Sequence, residues 1–519
     1  MIESSASPSA AADDGLSRDV LVVASVVMIG TFMSILDTTV VNVAIDHLVV
    51  AFKTSLTTIQ WVVTGYTLAL ATVIPVSGWA VDRFGAKRLY LTSIVCFTVG
   101  SAASGLAWSA GSLILFRVLQ GAGGGMIMPV AMTILTHKAG PHRIGRVMGI
   151  LGVPMLIAPI VGPILGGWLV DDVSWRWIFF INLPIGIIAV ITALRVLPSD
   201  RPQPSHSFDW LGMLMLSPGL ALFIFGLAES STYGFSSGRT WIPAAAGILL
   251  IALFFIHSWR HDSPLIDIRT FVQTPAGAAA TAFLLFAISV FGMMLLAPLY
   301  YQSVRGESAL DAGLLMAPGG IGAMLTMPIS GRLSDRYGPT WLPVVGLPFL
   351  LVSVIPFAFI GPHTSYVLLC SASFVQGLGM GMAMMPIMTA ALQAVPRAMI
   401  ARTSTAMNIV RQAGASVGTA VLTVILSTEI RHNLASGAHS GGRSPGSGGL
   451  GSIQHLPPAL KQRLSEPLAH SFAHTYIWAG LFIAVAIIPA LGMALLLRSQ
   501  LKQRPAGDEH GTPLRVMMD

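Results

Sequence analysis

The chain has 519 residues, of which 54% are hydrophobic and only 10% charged, against about 25% charged in ordinary soluble domains. Its 29 Lys and Arg outnumber 22 Asp and Glu, for a formal net charge of +7, but no basic run is interleaved with aromatic residues, so nucleic acid is not an expected partner. Such a composition cannot clothe a water-soluble surface, and it points to an all-α membrane protein whose outer partner is the lipid bilayer.

Residues 1–17 form a polar, Ser/Ala-rich tail. The first apolar segment, 20–45, is too long for a signal peptide and lacks an A-x-A cleavage pattern, so it reads as a retained helix. Thr31, Ser34, Thr38 and Asn42 share a narrow arc of that helix, with Asp37 at its edge. An ionisable group in such a position is a functional candidate, because charge in hydrocarbon is costly. A carboxyl there can exchange a proton as a cation or ligand comes and goes beside it; the plainer reading is a hydrogen-bonded link between helices. A second helix, 57–80, carries Tyr66 and runs into a tight basic turn spanning Gly78, Asp82, Arg83, Gly85, Lys87 and Arg88. There glycines allow close approach, Asp82 can cap a helix or pair with an arginine, and Lys87 and Arg88 can close against the opposite half. A topology anchor alone would need only the positive charges.

Helix 88–107 follows, then 111–136, where Arg117 precedes Gln120 and Gly121. Its guanidinium stays charged and can act only by biasing a carboxylate. In helix 144–169, Gly162 and Gly166 make a small-residue ridge beside Gly167, while Pro159 and Pro163 each remove a backbone donor and invite a bend. Helices 174–196, 209–229 and 241–259 come next. The remaining candidates are 274–301 (Met294, Tyr301), 309–332, 340–361, 365–394 (Gln376, Met380, Met384), 401–428 (Asn408, Arg411) and 473–498. Methionines of this half suit an adaptable pocket. The connection 429–472 is rich in Gly, Ser and His and is expected to be disordered before a short helix near 457–468. Lys and Arg concentrate in the loops on one side, which with both termini (the last residues being the tail 501–519) is expected to be cytoplasmic. Cys96 and Cys370 both fall in apolar stretches, so neither a disulfide framework nor a metal site is expected. No phosphate loop, H-E-x-x-H or nucleophile elbow occurs. The chain is therefore expected not to be an enzyme and to take no ATP and no cofactor.

Two segments recur about 255 residues apart. Gly78-Trp-Ala-Val-Asp82-Arg83-Phe-Gly85 returns as Gly331-Arg-Leu-Ser-Asp335-Arg336-Tyr-Gly338, and Val118-Leu-Gln120-Gly121-Ala-Gly123 as Phe374-Val-Gln376-Gly377-Leu-Gly379. This implies duplicated six-helix bundles, 18–200 and 269–500, with a helix pair inserted at 201–268.

The turn Gly78 to Arg88, the run Leu113 to Gly125, the run Ala158-Pro-Ile-Val-Gly162-Pro163-Ile-Leu-Gly166-Gly167, and the segments Leu36 to Ala44 and Trp175 to Pro184 together resemble the fourteen-helix drug:proton antiporters of the major facilitator superfamily, the EmrB/QacA type. The resemblance implies a major-facilitator-type fold of two pseudo-symmetric six-helix bundles plus two inserted helices in a bacterial cytoplasmic (inner) membrane. It implies proton-coupled export of hydrophobic or amphipathic small molecules, and multidrug efflux, by alternating access. Asp37 and Arg117 would couple protons; Gly78 to Arg88 with Asp335 and Arg336 would form the conformational switch; helix 144–169 would carry the antiporter signature. Thr38, Asn42, Tyr66, Gln120, Met294, Tyr301, Gln376, Met380, Met384, Asn408 and Arg411 are the candidate cavity residues. An exporter of an endogenous lipid, siderophore or metabolite is the alternative; a receptor or scaffold is a different class that has no need of Asp37 and Arg117 within helices.

Overall fold

The computed structural model describes residues 17–140, 143–199, 208–233, 237–272, 274–396, 399–437 and 458–502. Every regular element among them is helical, as a chain in lipid requires when each backbone N–H and C=O must be paired within its own segment. The first half contains α1 (Arg18–Val43), α2 (Ile45–Phe52), α3 (Leu56–Val73), α4 (Ser77–Phe84), α5 (Ala86–Gly105), α6 (Ala110–Ala139), α7 (Ile144–Trp168), α8 (Trp177–Phe180) and α9 (Asn182–Val196). An inserted pair follows, α10 (Trp210–Tyr233) and α11 (Gly238–Arg260); the second half contains α12 (Pro275–Ser303), α13 (Ala309–Tyr337), α14 (Trp341–Ala358), α15 (Tyr366–Gln393), α16 (Ile400–Gly437) and α17 (Pro458–Lys502). Twelve stretches among the described residues are long and apolar enough to cross a membrane. The helices α5 and α7, of 20 and 25 residues, stand between them in chain order.

Local chemistry sets many of the ends. Ser55 and Ser308 accept the N–H groups of Thr58 and Asp311, and Ser109 with Ser112 forms a reciprocal cap. The helices α4 and α13 both stop at a glycine with positive φ, Gly85 at 85° and Gly338 at 86°, so both copies of the repeat end on a backbone turn that residues with a Cβ avoid.

Three expected segments differ from the structure. The second helix is broken by a 3-10 turn at Ile74–Val76, where Pro75 withholds an N–H. Residues 174–196 hold two helices, α8 and α9, after a π turn at Leu169–Val173. The helix α16 reaches 437, into the stretch expected as a loop, and the short helix expected near 457–468 is present but runs on unbroken as the start of α17; residues 438–457 lie outside the described residues.

The first-half bundle packs α1 on α6, α7 and α9, and α6 on α3 and α5; the second packs α12, α14, α15, α16 and α17 together with α13 on α15. The two meet along α7 with α13 and α15, and along α4 and α6 with α16. The inserted pair leans on α3 and α16. Ile188, Ile488 and Leu495 are more than half exposed, as are Trp108, Trp168, Trp210, Trp241 and Trp259 at or near helix ends. This is the apolar belt with aromatic rims of a protein that faces lipid.

Candidate functional site

Asp37 sits at the twentieth residue of α1 and is completely buried. Arg117 Nη1 of α6 donates to its Oδ2 at 2.6 Å. Gln120 Nε2 and Asn182 Nδ2 donate to its Oδ1 at 2.8 and 2.9 Å. Residues 117 and 120, one turn apart on α6, reach the carboxylate together, while Asn182 opens α9 and is itself fixed by Ser101 Oγ at 3.0 Å. Arg117 has further partners that do not depend on Asp37: Gln120 Oε1 at 2.8 Å, the Val62 carbonyl at 3.3 Å, and the face of Tyr66 at 4.1 Å. A guanidinium held this way keeps its place when the carboxylate takes up a proton. Asn182 lies in the segment Trp175 to Pro184, to which the sequence alone assigns no role at the carboxylate.

The rest of the polar arc is satisfied locally. Thr31 and Thr38 donate to the Val27 and Ser34 carbonyls, and Ser34 Oγ meets Tyr66 OH at 3.4 Å. Asn42 is exposed at the end of α1, away from the Asp37 cluster. Moving 256 positions along the chain, Gln376 meets Met293 as Gln120 meets Asp37, with Nε2 to Sδ at 3.7 Å; Ser373 stands where Arg117 does. The second half thus keeps the contact and loses the charges.

The basic turn is joined to the opposite half. Arg402 Nε of α16 lies 3.5 Å from Asp82 Oδ2, and Arg146 Nε of α7 lies 3.6 Å from Asp335 Oδ2. Arg146 and Arg402 are 256 residues apart, so these are two copies of one latch. Asp335 also accepts the N–H groups of Gly145 at 2.8 Å and Arg146 at 3.1 Å, at the first turn of α7. Gly78 and Gly331 allow the backbones to approach, a Cβ on Gly78 falling 3.2 Å from Arg402 Cα and one on Gly331 falling 2.5 Å from the Gly145 carbonyl. Ser77 Oγ to Thr405 Oγ1 at 2.9 Å and Ser404 Oγ to the Pro129 carbonyl at 3.4 Å close the same end. Lys87 departs from expectation: its Nζ binds the Leu194 and Leu197 carbonyls of its own half, at 3.0 and 2.6 Å. Arg83, Arg88 and Arg336 are exposed.

The sequence profile of the Major Facilitator Superfamily matches residues 27–419. The chain belongs to this superfamily. As a superfamily member it is 40% identical over 504 residues to the "Multidrug resistance protein B homolog" of Mycobacterium tuberculosis (strain ATCC 25618 / H37Rv), covering 95% of this chain and 93% of that one. It is 32% identical over 401 residues to "Multidrug export protein EmrB" of Haemophilus influenzae, covering 76% and 78%. Among solved structures its fold is similar to that of the human organic anion transporter MFSD10 (TETRAN), with a TM-score of 0.58 at 12% identity over 89% of this chain and 99% of that one. Family and fold are those of a multi-pass membrane transporter.

In this superfamily member α7 wedges between the halves. Its Gly145 and Gly149 edge lies on α13, and its Gly162 and Gly166 ridge lies on Thr39 and Val40 of α1; Gly167 faces open space. The side chains of Pro159 and Pro163 lie outside the described residues. Of the other candidates, Tyr301 and Met384 are buried within the second bundle, Met380 is half-buried, and Met294 is 42% exposed. Asn408 is buried and donates to the Ser404 carbonyl at 2.9 Å and to Met132 Sδ at 3.4 Å. Arg411, a turn further on, is half-buried.

Proposed function

We propose that this transporter exports hydrophobic or amphipathic small molecules, multidrug substrates among them, by alternating access coupled to inward proton flow. The relatives named for multidrug resistance and export support the direction and the substrate breadth. The observation that carries the coupling is Asp37, an intramembrane carboxylate enclosed by Arg117, Gln120 and Asn182. Its protonation would dissolve one ion pair while leaving Arg117 its other partners, and the cluster ties α1 to α3, α6 and α9. With α5 and α7 counted as spans, the chain crosses the membrane fourteen times and both termini share one side. The crowding of Lys and Arg at the latch end supports a cytoplasmic placement in a bacterial inner membrane. With both latches made, that end is shut. Replacing Asp37 by Asn keeps size and hydrogen bonding but removes the exchangeable proton. Uphill export driven by a pH gradient in proteoliposomes should then fall to background while ligand binding and insertion persist. Normal uphill export by Asp37→Asn would overturn the coupling role.

A further inference from the structure

Arg411 is the twelfth residue of α16, about 16 Å along the helix from Ile400. That is near the middle of a hydrocarbon layer about 30 Å thick, too deep for the side chain to reach lipid headgroups. Its Nε is buried without a hydrogen-bond partner, and among the described residues the guanidinium has neither a hydrogen bond nor an ion pair. The deep or latch carboxylates, Asp37, Asp82 and Asp335, are each engaged by another arginine.

The helix's contacts fix where Arg411 points. Asn408 lies against Met132 of α6 in the first half. Gly414 and Gly418 lie against Ala287 and Ile288 of α12 in the second. Ile409 and Gln412, on the remaining side, face Leu220 and Ile224 of α10 across a narrow cleft. At 100° per residue, position 411 falls between the α6 side and the α12 side. It therefore faces inward, along the seam where the halves meet and away from the inserted pair. A cation at such a position is costly unless an anion accompanies it, and no described residue supplies one.

We propose that Arg411 is the anion-recognition point of the export path, pairing with the carboxylate or sulfonate of amphipathic acids whose apolar body lies along the seam. The inference rests on the export reading and adds a substrate class to it. Planar, bidentate pairing is the property of arginine that lysine does not reproduce.

The test is equilibrium binding to the full-length purified protein, with no gradient applied. The probes are 11-(dansylamino)undecanoic acid and its carboxamide, which differ in one charge. Wild type should bind the acid about tenfold more tightly than the amide, as expected of a charge-assisted pair. Arg411→Gln should bring the acid to the affinity of the amide, and Arg411→Lys should fall between, with amide binding in both variants reporting an intact fold. Equal affinity of wild type for the two probes, no binding of the acid, or an acid preference that survives Arg411→Gln overturns the proposal. Loss of gradient-driven export with the acid preference intact would strike the export reading and leave this one standing.

Discussion

At the scale of single residues, the Asp37 cluster makes a prediction that separates a working ion pair from simple packing. Removing only the cation, by Arg117→Gln, leaves a fully buried carboxylate with two neutral donors, Gln120 and Asn182. Breaking a buried pair this way costs about 3–5 kcal/mol, whereas removing both charges is far milder. Thermal melting in detergent should therefore rank Asp37→Asn/Arg117→Gln above Arg117→Gln alone; additive losses would show that the charges are not coupled. The sequence made Asp37 and Arg117 legible because each is an isolated charge inside an apolar run. Their partners were not legible, since Asn182 is 145 positions away and a neutral amide carries no such signal. The facing of the methionines was not legible for a related reason: on a membrane protein the lipid face and the core face are equally apolar, so hydropathy cannot say which way a methionine points.

At the scale of helices, small residues decide how close α7 and α13 can lie. A Cβ on Gly331 would meet the Gly145 carbonyl at 2.5 Å, and one on Gly149 the Met327 carbonyl at 2.7 Å. Both neighbours are backbone, so the helices must part. Gly331→Ala and Gly149→Ala should each speed hydrogen exchange in the first turns of α7, whereas Gly167→Ala, with nothing nearby, should be silent; equal behaviour of the three would remove the wedge role of α7. The inserted pair has its own fastening. Asp209, whose side chain is 2% exposed, accepts the N–H groups of Gly212 and Leu265 at 2.8 and 3.1 Å and meets His257 Nε2 at 2.8 Å. Burial would push this carboxyl up, but those donors outweigh it and hold it below the usual carboxylate range. A carboxyl depressed in the folded state stabilises it at neutral pH and ceases to do so as pH falls below about 4. Wild type should therefore lose melting temperature on acidification in a way that Asp209→Asn, already less stable at pH 7, does not; parallel pH profiles would refute the fastening. Sequence periodicity located this pair and most helix ends, but not the reach of α16 to 437 or the unbroken run of α17 from 458 into its span, because a polar, Gly-rich composition says nothing of how far a helix runs beyond the membrane.

At the scale of the whole molecule, the duplication visible in the sequence supplies two latches, and their environments differ. Asp335 is 4% exposed and caps the start of α7 with two backbone N–H groups, whereas Asp82 is 25% exposed in its pairing with Arg402. Solvent screens the more open pair more strongly, moving it towards the surface-pair contribution of about 0–1 kcal/mol, while buried charge-assisted bonds contribute about 1.5–3 kcal/mol each. The second-half latch is therefore expected to hold the shut end more firmly, even though its copy of the turn continues through Pro339 and Thr340 rather than basic residues. If both latches act only as topology anchors, removing their carboxylates should change nothing, because acidic residues contribute little to orientation. If they bias a two-state equilibrium, each 1.4 kcal/mol lost shifts the ratio of states about tenfold. Spin labels at the exposed positions Arg88 and Arg332 would report the separation of the two bundles at this end. Asp82→Asn should add a small long-distance population, Asp335→Asn a larger one, and the double variant should be predominantly open with turnover reduced and insertion normal. The reverse order of the two single variants would place the stronger latch at Asp82, and unchanged distances in all three would leave the turn as an anchor alone.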